Sequence, residues 1–114
     1  MPYIEVKTTA SADEAKRERI KSELGRAIST FPGKSESWLM VNIADNQKMW
    51  FRGDDSADIA MVSVDIYGSA QPKACEKMTA QICSLLQKEL GISQDKIYVK
   101  YMGFSEWGWN GSNF

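Results

Sequence analysis

A chain of 114 residues, 43% hydrophobic and 25% charged, holds enough apolar material for one core and too little length for two, so residues 1–114 read as a single domain. The formal net charge of −1 gives no electrostatic ground for a nucleic-acid or membrane partner, and no apolar run approaches the roughly 20 residues that span a bilayer. Histidine is absent and the two cysteines form no C-x-x-C pair, which removes the usual zinc and thioredoxin-like sites.

The chain opens Met1-Pro2, and a residue as small as Pro2 normally lets an initiator methionine be trimmed, leaving a secondary amine at the terminus. Residues 3–7 alternate apolar and polar as a strand does, and a strand holds its first residue against the core where most termini fray. An α-amino group titrates at about 7.7–8.0, and burial or a nearby cation lowers it. Pro2 thus offers a base near neutral pH in a chain without histidine; the plainer reading is that it opens an edge strand, where a missing N–H costs little. Glu5 and Lys7 interrupt the terminus before an apolar signal region forms, so synthesis is expected in the cytosol, with any secretion by an unconventional route.

Ser11 followed by Glu14 is a capping-box pattern and predicts a helix from there. Ile20, Leu24, Ala27, Ile28 and Phe31 make its buried stripe, and Pro32-Gly33 ends it. Lys34 follows, then a strand over 38–44, a turn at 45–47 and a short apolar hairpin piece at 49–51. The tripeptide Arg52-Gly53-Asp54 matches an integrin-binding sequence, but matches of three residues arise by chance. A strand is predicted over 59–67, with Val62, Val64 and Ile66 on one face and Met61, Ser63, Asp65 and Tyr67 on the other. A second helix runs to about Leu90, with Pro72 in its first turn, Met78, Ile82, Leu85 and Leu86 as its stripe, and Gly91 as its stop. Cys75 and Cys83 lie eight positions apart on it, about 12 Å at 1.5 Å per residue, too far for a disulfide. A last strand over 97–101 leads to a tail rich in Trp, Gly and Asn. Asn110-Gly111-Ser112 is formally a glycosylation sequon, of little weight without a secretory signal.

Two β-α-β halves emerge. Ile4 to Val41 spans 37 positions and so does Val62 to Val99, which suggests a tandem repeat in the α+β class: a four-stranded sheet with two helices on one face. The opposite face carries Leu39 or Met40, Met61 and Tyr67 and is expected to be too apolar to stay wet, so self-association is the natural cover.

With these features in place, the sequence resembles the macrophage migration inhibitory factor family of the tautomerase superfamily. The resemblance runs the length of the chain. It rests on the Met-Pro start, Gly33-Lys34, Phe51, Tyr67-Gly68, Ile92-Ser93-Gln94-Asp95-Lys96-Ile97-Tyr98, and the tail from Gly108 to Phe114. It implies a homotrimer with active sites between subunits. It also implies keto–enol tautomerisation of a small aromatic α-keto acid of the phenylpyruvate type, or of dopachrome derivatives, with no cofactor or metal. Pro2 would be the catalytic base. Lys34 and the backbone N–H near Tyr67 would bind the substrate's carboxylate and enol oxygens, Tyr98 would come from the neighbouring subunit, and Trp38, Phe51, Trp107 and Trp109 would form aromatic walls. The residue types suit the chemistry: proton transfer α to a carbonyl needs a base near neutral pKa and a stabiliser for the enolate. Taken alone, Lys34 also suits an ordinary cation near a helix C-terminus. The alternative is a cytokine-like signalling protein that binds a cell-surface receptor and keeps a vestigial pocket.

The chain departs from the family pattern in places. Ser35-Glu36-Ser37 replaces prolines and puts a negative charge close to Lys34. Lys100 stands where asparagine is usual, which would strengthen the pull on anionic substrates. Trp107 replaces a small apolar residue and would narrow the pocket, and the loop before it is two residues shorter. Asp58 and Met61 occupy the positions of the family's C-x-x-C pair, so thiol-redox activity is not expected.

Overall fold

The computed structural model describes residues 1–114. Its elements are β1 (Pro2–Thr8), α1 (Glu14–Ala27), β2 (Met40–Ala44), β3 (Ala60–Tyr67), α2 (Pro72–Leu90), β4 (Ile97–Phe104), and a small hairpin of β5 (Gly108–Trp109) and β6 (Ser112–Asn113). The main sheet has the order β2-β1-β3-β4. β1 lies parallel to β2 and antiparallel to β3, and β3 lies parallel to β4. The 37-residue spacing is realised in the register itself, because Ile4 pairs with Val41 and Val62 with Val99. Each half is one parallel β-α-β crossover, and the two join through the antiparallel β1–β3 pair.

The core is the seam between sheet and helices. Ile4, Val6, Val62, Val64 and Ile66 meet Ile20, Leu24 and Ile28 of the first helical stretch and Met78, Ile82 and Leu86 of α2, all within 1% of full burial. Alternation puts every second strand residue on this face, so both helices cover the same side. Phe31, at 2% exposure, closes the end of the stripe just before Pro32-Gly33 stops the helical stretch. Pro72 starts α2 and Gly91 ends it, as the sequence predicts.

Three local expectations are corrected. The cap of α1 is Asp13, whose carboxylate accepts the Lys16 N–H at 2.8 Å. Ser11 does not form the capping box, because its hydroxyl binds Asn46 and the next N–H, of Ala12, goes to the Asp45 carboxylate at 3.0 Å. The strand expected from 38 begins at Met40, since Glu36–Trp38 forms a 3-10 turn. Residues 49–51 make no strand: the hairpin is reduced to one bridge between Phe51 and Asp54. Arg52 and Gly53 sit at its corner with φ of 55° and 74°, the backbone of a tight primed turn. Asp54 is tied down by the Ser56 N–H and hydroxyl at 3.0 and 2.8 Å. The Arg-Gly-Asp tripeptide therefore has a local structural job.

The uncovered sheet face is less apolar than expected. Its rows read Met40–Tyr3–Asp65–Met102, Asn42–Glu5–Ser63–Lys100 and Ala44–Lys7–Met61–Tyr98. The middle row is polar throughout. The apolar exposure is at the margins, on the two edge strands, where Met40, Met102 and Tyr98 are 68%, 56% and 61% exposed.

Candidate functional site

Pro2 is buried at the start of β1, opposite Ile66 of β3. The register carries one residue further: the Tyr67 N–H donates to the Met1 carbonyl at 2.9 Å. Tyr67 thereby ends β3 with its N–H directed at the chain terminus. Lys34 arrives from the other side. A turn closed by the Lys34 N–H on the Phe31 carbonyl (3.1 Å) follows the buried Phe31 and aims the side chain back across the sheet. Its Nζ donates to the Tyr67 carbonyl at 2.7 Å and stands 5.9 Å from the centre of the Tyr67 ring. Lys34 takes part in none of the chain's six ion pairs. Glu36, whose charge was expected close to Lys34, makes no ion pair with it and lays its carboxylate over Gly25 of α1, where a side chain at position 25 would collide with it. The missing Cβ of Gly25 is what gives that carboxylate a berth away from the lysine.

The α-amino group of Met1 is held below its ordinary pKa, first by burial and then by the charge and hydrogen bonding of Lys34. An amine at this end of the sheet thus sits in surroundings that favour its neutral, proton-accepting form.

Aromatic rings wall the same end. Tyr67 meets Phe114 at 5.5 Å, Phe114 stacks on Trp109 at 6.2 Å with 15° between planes, and Trp109 meets Trp38 edge-on at 5.2 Å. Trp107 stands behind them: its carbonyl accepts the Phe114 N–H at 3.0 Å and its ring meets Phe104 at 5.9 Å. The β5–β6 hairpin turns at Asn110-Gly111, both with positive φ (53° and 86°), which folds Phe114 back onto Trp109. Phe114 was not singled out by sequence reasoning. Its signal was only that it closes an aromatic-rich tail.

Three expected site residues lie elsewhere in the chain. Tyr98 pairs with Met61, whereas Tyr67 pairs with Phe104, so six positions of parallel strand, about 20 Å at 3.3 Å per residue, separate Tyr98 from the Pro2 end. Phe51 belongs with Tyr98, the rings 5.3 Å apart, and Lys96 and Arg52 stand 5.7 and 5.4 Å from the Phe51 ring. Lys100 is between the two ends, paired with Ser63 on the uncovered face. One chain therefore gathers Pro2, Lys34, Tyr67, Trp38 and Trp109, backed by Trp107, and holds Tyr98, Phe51 and Lys100 apart from them.

No group of three or more His, Cys, Asp and Glu side chains stands close enough to hold a metal ion. A hollow of about 600 Å³ between α1 and α2 includes none of the residues gathered at Pro2 in its lining, and its rim charges are largely spent on each other, as in Arg19–Glu89 and Arg26–Glu23. The Pro2 end brings together a cation free of ion pairs, four aromatic rings and the Tyr67 N–H, which the Met1 carbonyl occupies; these are group types suited to a flat anion.

The family model described as macrophage migration inhibitory factor (MIF) matches residues 1–114. Macrophage migration inhibitory factor of Meriones unguiculatus is 35% identical over 101 residues, covering 85% of each chain. D-dopachrome decarboxylase-B of Xenopus laevis is 23% identical over 116 residues, covering 98% of this chain and 96% of that protein. The crystal structure of Leishmania major MIF2 superposes with a TM-score of 0.92 at 32% identity, covering 100% of this chain and 97% of that one.

Proposed function

The chain belongs to the macrophage migration inhibitory factor family, and on that premise we propose that it is a cofactor-independent keto–enol tautomerase acting on small aromatic 2-oxo acids, with Pro2 as its base. The observation that carries the proposal is the convergence of Lys34 and the Tyr67 N–H on the amine end of β1. Removal of Met1 turns the Pro2 nitrogen from an amide into a secondary amine and frees the Tyr67 N–H from the Met1 carbonyl. The burial and the Lys34 charge that lower the Met1 amine would favour the neutral, proton-accepting form of a Pro2 amine in the same way.

The chemistry then follows from position. The carboxylate of the 2-oxo acid lies against Lys34, whose ammonium acts as a point charge. The aromatic walls stack on the substrate ring and exclude water. Pro2 takes the proton from the carbon next to the carbonyl, the electron pair moves onto the carbonyl oxygen, that oxygen accepts a hydrogen bond as it gains charge, and the Pro2 ammonium then gives the proton up to it, directly or through water, which forms the enol and restores the base. A relative from Xenopus laevis bears the name D-dopachrome decarboxylase-B, which supports a small cyclic substrate of the dopachrome kind.

Assembly is part of the proposal. Tyr98 lies about 20 Å from Pro2 in its own chain, so it can complete a site only from another copy. The polar middle row and apolar margins of the uncovered face suit a ring of three sheets, with edges meeting neighbours and the middle lining a channel. A signalling role of the kind named in the 35%-identical relative is the second reading, and the trimer serves it equally.

The test is an intact mass of the purified protein beside a phenylpyruvate tautomerase assay of the same sample. A mass lacking Met1 with turnover supports the proposal; a trimmed terminus without turnover sinks it and favours the signalling reading.

A further inference from the structure

We infer that Gly103 is a positioning residue for the anion site formed by Lys34 and Tyr67, a conclusion that rests on the reading of that site given above. Gly103 lies in β4 opposite Ile66, and the chain leaving β3 passes directly over it. A Cβ at position 103 would fall inside van der Waals contact of the Gly68 carbonyl oxygen, 3.2 Å from the Gly68 carbonyl carbon and 3.4 Å from the Ala70 nitrogen. All three are backbone atoms, which cannot swing aside as the end of a side chain can. The absent side chain is what lets the two strands' ends close on each other.

That approach fixes one peptide plane. The peptide joining Tyr67 to Gly68 sends its N–H to the Phe104 carbonyl at 2.9 Å. Its C=O points the opposite way, as a planar trans peptide requires, and accepts the Lys34 ammonium at 2.7 Å. The orientation of the carbonyl that accepts the Lys34 ammonium is therefore set by how closely Gly68 lies on β4. A side chain at 103 lifts Gly68, breaks its bond to Phe104 and rotates the Tyr67 carbonyl away from Lys34. The ammonium then loses its anchor although neither Lys34 nor Tyr67 has changed. Phe104 is itself held against Trp107, the rings 5.9 Å apart, which leaves the end of β4 little slack to absorb the shift.

The experiment compares the unaltered protein with Gly103→Ala by the dissociation constants of two probes, phenylacetate and its methyl ester. The preference for the acid over the ester should fall about tenfold in Gly103→Ala, the order expected for a weakened charge-assisted hydrogen bond, while the ester binds as before. An acid preference equal in both proteins overturns the inference, and so does an equal loss for acid and ester, which is what mere structural damage gives. Amide hydrogen exchange of the unaltered protein judges Gly103 even if the variant fails to fold or neither probe binds. Gly68 exchanging as slowly as the interior amides of β3 supports the clamp, and exchange at the rate of an open loop overturns it. Loss of all aromatic-acid binding by the unaltered protein would instead count against the tautomerase reading.

Discussion

The Tyr67 amide donates to the Met1 carbonyl across 2.9 Å, so the residue ahead of Pro2 takes up the very N–H that a substrate oxygen would use. Met1 therefore blocks twice, by making the Pro2 nitrogen an amide and by capping Tyr67. Protein that retains Met1 should show no phenylpyruvate turnover and a protected Tyr67 amide in hydrogen exchange; trimmed protein should show turnover and faster exchange at Tyr67. Equal exchange in the two forms would mean that Met1 does not cap the site. In trimmed protein, Pro2→Gly keeps a terminal amine but makes it primary, and most activity should go while the oligomer persists in light scattering.

Lys34 should read the acid group. Its ammonium forms no ion pair in the chain, so a carboxylate meets an unspent charge, and a hydrogen bond to a charged partner is worth about 2 kcal/mol, roughly thirtyfold. Lys34→Ala should lower kcat/KM for phenylpyruvate by about that factor and that for its methyl ester much less. Equal losses would show that Lys34 supports the fold near Phe31 and does not recognise the substrate.

Tyr98 offers a test of assembly and site together. If it serves the pocket of another copy, Pro2→Gly and Tyr98→Ala damage different halves of one composite site. Refolding the two variants as an equal mixture should restore about a quarter of the sites, those that draw Pro2 from one chain and Tyr98 from the next. Activity no higher than the mean of the separate variants would place Tyr98 outside the site.

The β-α-β frame was legible because its signals are local or periodic. The stripe from Ile20 to Phe31, the punctuation at Pro72 and Gly91, and the matched 37-residue spacings each needed no knowledge of distant contacts. The errors fell where a distant group decided. Ser11 failed as a cap because Asp45 and Asn46, more than thirty residues away, took the hydrogen bonds around it. Glu36 turned from Lys34 because Gly25 left room on α1. Phe51 and Tyr98 lie some 20 Å from the Pro2 pocket of their own chain by strand register, in keeping with the expectation that Tyr98 serves a neighbouring subunit. Phe114 entered the aromatic wall through a two-residue turn at Asn110-Gly111 that carried no periodic signal.

The sheet's helical side also makes a pH prediction. The Tyr101 hydroxyl pairs with Thr79 at 2.7 Å beneath α2, and burial raises its pKa to about 12. An unfolded tyrosine titrates at about 10, so between pH 10 and 12 the unfolded chain releases a proton that the folded chain keeps. Folding then competes with ionisation, and stability falls as pH rises through that window; below pH 10 both states hold the proton and Tyr101 contributes no pH dependence. Urea midpoints measured from pH 9 to 11 should decline more steeply for the unaltered protein than for Tyr101→Phe, which has no proton to lose at that position. Parallel curves would mean that the hydroxyl is as free to ionise in the fold as in water.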